Sequence, residues 1–145
     1  MRRRVIVDTG PLVALVDRRD RYHEWASAQL GPAATPLLTC EPVLTEACFL
    51  LSALRGGSEA VLQLVSRGAV LISFNLGEEA TTVSRLLARY ASVPMTLADA
   101  SLVRMSERLA GSVVATLDGD FAIYRRHGRQ IVPTLMPADL QTRGR

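Results

Sequence analysis

Residues 113–121 read VVATLDGDF. From Val113 to Leu117 the run is apolar or β-branched without the alternation of a half-exposed strand, which predicts a short strand buried on both faces, as parallel sheets require. Asp118 follows it directly. The chain opens the same way: in VIVDTGP, residues 5–11, a continuous apolar run is stopped by Asp8. Open α/β sheets bind ligands beyond the carboxyl ends of their strands, so an acid in that position raises a functional question. A single such acid reads as a turn or cap former. Two of them weaken that reading.

Working outward, Pro11 suits the first turn of a helix over 12–16, which the charged run DRRD then breaks. Asp20 is a candidate cap for a helix carrying Tyr22, Trp25, Ala26 and Leu30 on one face and closed by Gly31 and Pro32. A second strand is expected over 37–40. Pro42 opens a helix striped by Val43, Ala47, Leu50, Leu51 and Leu54, and Gly56 with Gly57 ends it. Ser58 is expected to cap a helix over 59–67, followed by a third strand over 70–74. Helices over 78–90 and from Thr96 to Leu109 precede the strand at 113–117. A short helix over 120–126 and a last strand over 131–135 complete the pattern. This is the β-α-β rhythm of a parallel sheet. The division expected is one domain over 1–138 and a polar C-terminal tail over 139–145.

The 145 residues suffice for one domain, and 48% hydrophobic against 21% charged residues excludes disorder. Arg2, Arg3 and Arg4 precede an apolar run too short for a signal peptide. No apolar stretch approaches the roughly 20 residues of a membrane span, so a soluble protein is expected. Cys40 and Cys48 lack metal-ligand spacing and read as buried free thiols of a reducing cytosol. All 17 basic residues are arginine and the net charge is +3. Arginine suits phosphate recognition, although GC-rich coding gives the same usage.

Two further acids stand out. Glu46 lies among Val43, Ala47, Leu50 and Leu54 at helical spacing, with no cation within a turn, where a carboxylate is costly and the helix dipole is the alternative explanation. Asp99 follows Thr96 by three residues, so TLAD reads as a capping box; yet this helix starts near the edge that carries Asp8 and Asp118. Several carboxylates at one place repel each other unless a cation neutralises them. Oxygen ligands without His or Cys suit hard ions, Mg²⁺ or Mn²⁺, and such sites commonly hydrolyse phosphodiesters.

Together VIVDTGPLVALVDRRD, VLTEACFLL, LADASLVRMSERL and VVATLDGDF resemble the PIN domain family over essentially the whole chain. The resemblance implies a five-stranded parallel sheet in the order 3-2-1-4-5. It also implies catalytic acids at Asp8, Glu46, Asp99 and Asp118, with Thr116 as accompanying hydroxyl. Asp120 is an alternative or auxiliary metal ligand, although it also reads as the N-cap of the helix beginning FAIY. The roles expected are direct metal ligation by Asp8 and Asp99, ligation through water or orientation of the nucleophile by Glu46 and Asp118, and supporting hydrogen bonds from Thr9 and Thr116. The DTGPLVAL opening and small size look most like the VapC toxin branch. This implies a cytoplasmic endoribonuclease acting on RNA, held by a cognate VapB-like antitoxin and homodimeric.

Arg18, Arg19 and Arg21 are candidate phosphate contacts or a solvated turn, and Arg125, Arg126 and Arg129 form a second such cluster. His23 and His127 read as surface residues, Trp25 and Tyr22 as packing residues. The competing functions are a PIN nuclease of RNA maturation without an antitoxin and a PIN-like RNA- or protein-binding module without catalysis. A phospho-acceptor receiver domain is disfavoured by the absence of any lysine.

Overall fold

The computed structural model describes residues 3–31 and 36–141; Arg2, Pro32 and residues 142–145 of the expected tail lie outside the described residues. The main sheet contains β1 (Arg4–Val7), β2 (Leu37–Thr39), β3 (Val70–Ile72), β4 (Ser112–Ala115) and β7 (Thr134–Leu135) in the order β3-β2-β1-β4-β7, all parallel. This is the expected five-stranded parallel sheet, its last strand being the seventh in the chain. The helices are α1 (Thr9–Val16), α2 (His23–Leu30), α3 (Glu41–Leu50), α4 (Gly57–Ser66), α5 (Leu76–Arg89), α6 (Leu97–Arg108) and the single turn α7 (Ala138–Gln141).

Burial explains the continuous apolar strands. Ile6, Val7, Val114 and Ala115 are inaccessible to solvent, and Leu12, Val43, Leu102 and Met105 cover them from the helices. Val7 pairs with Ala115, so β1 and β4 end in register and the next residues, Asp8 and Thr116, leave the sheet side by side. A parallel pair at the centre of the sheet thus fixes where two functional candidates emerge.

The structure corrects several local expectations. α1 starts at Thr9 because Asp8 is its N-cap. Asp20 does not cap α2; its Oδ1 accepts the N–H of Tyr22 in the turn before it. Ser58 lies inside α4, whose cap is Gly56 at φ 73°, a left-handed conformation that glycine adopts without penalty. α5 begins at Leu76 because Asn75 Oδ1 accepts the N–H of Glu78. β3 ends at Ile72. The helix expected over 120–126 is a 3₁₀ turn, Gly119–Ala122, followed by β5 (Arg125–Arg126), which pairs antiparallel with β6 (Gln130–Ile131). The strand expected over 131–135 is therefore two: Ile131 belongs to this hairpin, and Thr134 and Leu135 join the sheet. Pro133 between them lacks an N–H, but its carbonyl accepts from Val114 N at 2.9 Å.

Tyr22 and Trp25 pack against the core as expected. His23, expected at the surface, is half-buried with Nδ1 2.7 Å from Ala14 O. Cys40 is a buried thiol whose pKa burial pushes up to about 11, and Cys48 is half-buried; both are free. Within the expected tail, Asp139 accepts from Tyr22 Oη at 2.9 Å. Among the described residues no helix is long and apolar enough to cross a membrane.

Truncating Ile6, fully buried between its partners Leu38 and Val114, is expected to cost about 3 kcal/mol. Ile6→Ala should lower Tm by roughly 10 °C. Leu62→Ala, on the exposed side of α4, should change stability by less than about 0.5 kcal/mol. Thermal melts showing equal losses would contradict this placement of the core.

Candidate metal centre

Asp8 gathers the site. Its Oδ1 accepts the N–H of Thr9 at 2.7 Å, and its Oδ2 accepts the hydroxyl of Thr116 at 2.7 Å. The Thr116 Oγ1 in turn accepts the N–H of Asp118 at 3.0 Å, and Asp118 Oδ1 accepts the N–H of Asp120 at 2.9 Å. Asp118 is therefore the N-cap of the 3₁₀ turn, a place the sequence reading gave to Asp120. Thr9 Oγ1 donates to Glu46 Oε2 at 3.3 Å, which draws α3 to the same rim. Thr116 thus meets Asp8 through its hydroxyl, and Thr9 meets Asp8 through its N–H and Glu46 through its hydroxyl.

Asp99, read both as a cap and as a candidate ligand, makes the capping box and also lines the acidic cavity. It closes the capping box of α6, with its N–H bonded to Thr96 Oγ1 at 3.1 Å and its Oδ2 accepting Thr96 N–H at 3.2 Å. Its Oδ2 also accepts the hydroxyl of Tyr124 at 3.0 Å. No donor among the described residues bonds Oδ1. Asp8, Glu46, Asp99 and Asp118 all line one cavity of about 290 Å³, together with Thr9 and Thr96. Asp120 lies beside it without lining it. Glu46 is exposed at the rim, beside Leu50 of the same helix.

Among the described residues these acids have no ion-pair partner. Every ion pair among the described residues lies elsewhere: Arg21 with Asp139, Arg104 with Glu79 and Glu107, and Arg108 with Glu79. Burial pushes the Asp8 pKa up to about 6, the bonds from Thr116 and Thr9 oppose the rise, and the charges of Asp99 and Asp118 add to it. Burial also raises Asp99, with Asp118 contributing. Asp120 is raised by partial burial and then by the charges of Asp118 and Asp99. Among the described residues no three acidic, His or Cys side chains are drawn close enough to enclose an ion. The all-oxygen, uncompensated set nonetheless fits a hard divalent cation, because Mg²⁺ retains several waters and takes only one or two carboxylates directly.

The arginines are placed apart from this cavity. α1 carries Arg18, Arg19 and Arg21 away from Asp8 by its eight residues, about 12 Å of helix. Arg18 and Arg19 are exposed, while Arg21 lies over the Tyr22 ring and meets Asp139 at 3.4 Å. Arg125 bonds the carbonyls of Ala122, Ile123 and Tyr124, and Arg126 that of Ser106, so these two serve the local fold; Arg129 is exposed. Tyr124 was missed by sequence reasoning. The FAIY spacing marks it as apolar, but nothing local shows that its hydroxyl reaches 25 residues back.

A raised Asp8 pKa makes a signed prediction. The folded value of about 6 exceeds the ordinary 3.8, so the stability present below pH 4 is lost as pH rises through 6, to a total of about 3 kcal/mol. Asp8→Asn keeps an acceptor for Thr9 N–H, and its amide can donate to Thr116. In metal-free buffer its stability relative to the parent should therefore rise by up to about 3 kcal/mol between pH 4 and 7. A difference that is flat with pH, in denaturant titrations at both values, would contradict the electrostatic assignment.

No curated protein is similar enough to match the chain. A family model described as PIN domain matches residues 5–126. That span runs from β1 to β5 and includes every acid of the candidate centre. The chain belongs to the PIN domain family.

Proposed function

We propose that this protein is a divalent-metal-dependent endoribonuclease and the toxin of a VapBC-type toxin-antitoxin pair. PIN domains are generally metal-dependent nucleases. The observation that carries the reading here is Asp8, buried with no ion-pair partner among the described residues and made costlier to ionise by Asp99 and Asp118. A site of this kind destabilises its own fold at neutral pH unless a cation compensates, which is the stability-for-function exchange expected of an active centre.

Asp8 and Asp99 are the residues to hold Mg²⁺ or Mn²⁺, with Glu46 and Asp118 acting through water and Asp120 auxiliary. When bound, the ion supplies a nucleophilic water at neutral pH and neutralises charge on the phosphate. Thr116 and Thr9 fix the Asp8 carboxylate by one hydrogen bond to each oxygen, leaving a lone pair on each for the ligand. Glu46, exposed at the rim, accepts or orients a proton of incoming water. The expected products carry a 5′-phosphate and a 3′-hydroxyl.

RNA reaches the acids along the open rim, and Arg18, Arg19 and Arg21 contact its backbone about one helix length away. The Arg21–Asp139 pair is solvent-exposed and worth little, so a phosphate displaces it readily. The toxin assignment, the VapB-like antitoxin, the homodimer and the cytoplasmic location follow the resemblance of the DTGPLVAL opening to VapC proteins.

Three experiments test the reading. Purified protein should cleave single-stranded RNA with Mg²⁺ or Mn²⁺ and stop on EDTA, and Asp8→Asn or Asp99→Asn should lose at least about 100-fold in rate; Asp118→Asn should cost more than Asp120→Asn. Cleavage undiminished by EDTA would overturn the metal assignment. Neutralising Arg18, Arg19 and Arg21 should weaken binding to all RNA sequences alike and flatten the salt dependence, whereas an unchanged salt slope returns them to a solvated turn. Induced expression should arrest growth, with rescue by the small protein encoded next to it; harmless expression of an RNase-active protein would favour RNA maturation.

A further inference from the structure

Tyr124 is the largest fully buried side chain among the described residues, and it sits against the candidate centre. Its ring meets Tyr90 and Phe121 edge-on, each at a centroid distance of 5.2 Å, so it is pinned from two sides. Tyr90 is fixed in turn, because its hydroxyl accepts the N–H of Arg125, the residue after Tyr124, at 2.9 Å. The one polar atom of the Tyr124 side chain is thereby delivered to Asp99 Oδ2 at 3.0 Å.

The capping box holds the Asp99 carboxylate from one residue only, Thr96, chiefly through its N–H at 3.2 Å. Such a carboxylate turns about its terminal torsion, which is broad. A second donor on the same oxygen from another direction removes that freedom. Both donors use Oδ2, and none among the described residues uses Oδ1, in a residue that lines the acidic cavity.

Resting on the nuclease reading above, we propose that Tyr124 is a positioning residue: its hydroxyl fixes Asp99 Oδ2 so that Oδ1 is presented to a divalent cation in the cavity. The 3₁₀ turn, Gly119–Ala122, serves this purpose, since it places Asp118 at the cavity and brings Phe121 and Tyr124 back into the core within six residues. A buried hydroxyl that only needed a partner would leave metal affinity unaltered when removed, which distinguishes the two roles.

The test uses the full chain. Tyr124→Phe keeps the ring and deletes the donor, and calorimetric titration with Mg²⁺ and Mn²⁺ should show affinity about tenfold weaker than in the parent, with RNA cleavage falling in step. Ser106→Ala, which removes another buried hydroxyl of α6 that donates to Val103 O and touches neither Asp99 nor Tyr124, should stay within about twofold of the parent in metal affinity, as expected where no contact with a ligand is lost. A Tyr124→Phe affinity within that same range overturns the proposal. A second readout needs no variant: in the parent protein, saturating Mg²⁺ should shift the ¹³Cζ resonance of Tyr124, whose bond to Asp99 is altered by the ion, and leave that of Tyr22 unmoved. A silent Tyr124 overturns the proposal even if Tyr124→Phe fails to fold. If the parent binds metal and cleaves RNA while Tyr124 is silent, only the positioning role falls; if the parent does neither, the nuclease reading falls with it.

Discussion

The Asp8 carboxylate ties the centre of the sheet to the rest of the site. It accepts from the first residue of α1 and from the residue that follows β4, so two bonds join β1, α1 and β4 at one point. Through Thr9 the junction extends to α3 and Glu46, and through Thr116 to Asp118 and the turn behind it. Because Val7 and Ala115 are partners in register, a one-residue slip in that pairing would exchange the faces of β1 and separate Asp8 from Thr116. The parallel pairing at the middle of the sheet and the integrity of the acidic cavity are therefore the same constraint.

Three of the acids share a second device. Asp8 caps α1, Asp118 caps the 3₁₀ turn and Asp99 closes the capping box of α6. Backbone N–H groups at a helix start favour negative charge, and this is how the fold holds clustered carboxylates with no arginine paired to them among the described residues. The compensation is incomplete. Asp8 and Asp99 remain harder to ionise than in water, with burial the largest cause. On the proposed reading a bound cation would offset that residual cost, and mass action would return it as stability.

Much of this was legible in the sequence because the informative features are local. Uninterrupted runs such as VIV and VVA read as strands covered on both faces; Asp8 directly follows the first, whereas β4 ends at Ala115 and Asp118, expected to follow its strand at once, stands three residues beyond it. What was not legible depends on backbone geometry or distant partners. The start of α1 was placed three residues late because Asp8 was read as ending a strand and not also as beginning a helix. Asp120 was given the cap that Asp118 holds, since spacing alone does not say which acid of DGD turns inward. The segment 120–126 has helical character by composition, but the need to bury both Phe121 and Tyr124 winds it into a short turn and a hairpin instead. Asp99 was posed as either a cap or a site residue, whereas its two oxygens allow both. The reach of Tyr124 to Asp99 has no sequence signal, being a contact between elements.

The central claim is that this rim of carboxylates holds a divalent cation. Anomalous diffraction from crystals soaked in Mn²⁺ tests it most directly. The account predicts a peak in the cavity about 2.0–2.3 Å from an oxygen of Asp8 or Asp99, its remaining positions filled by water. No peak there at a Mn²⁺ concentration that supports RNA cleavage, or one held by other residues, would contradict it.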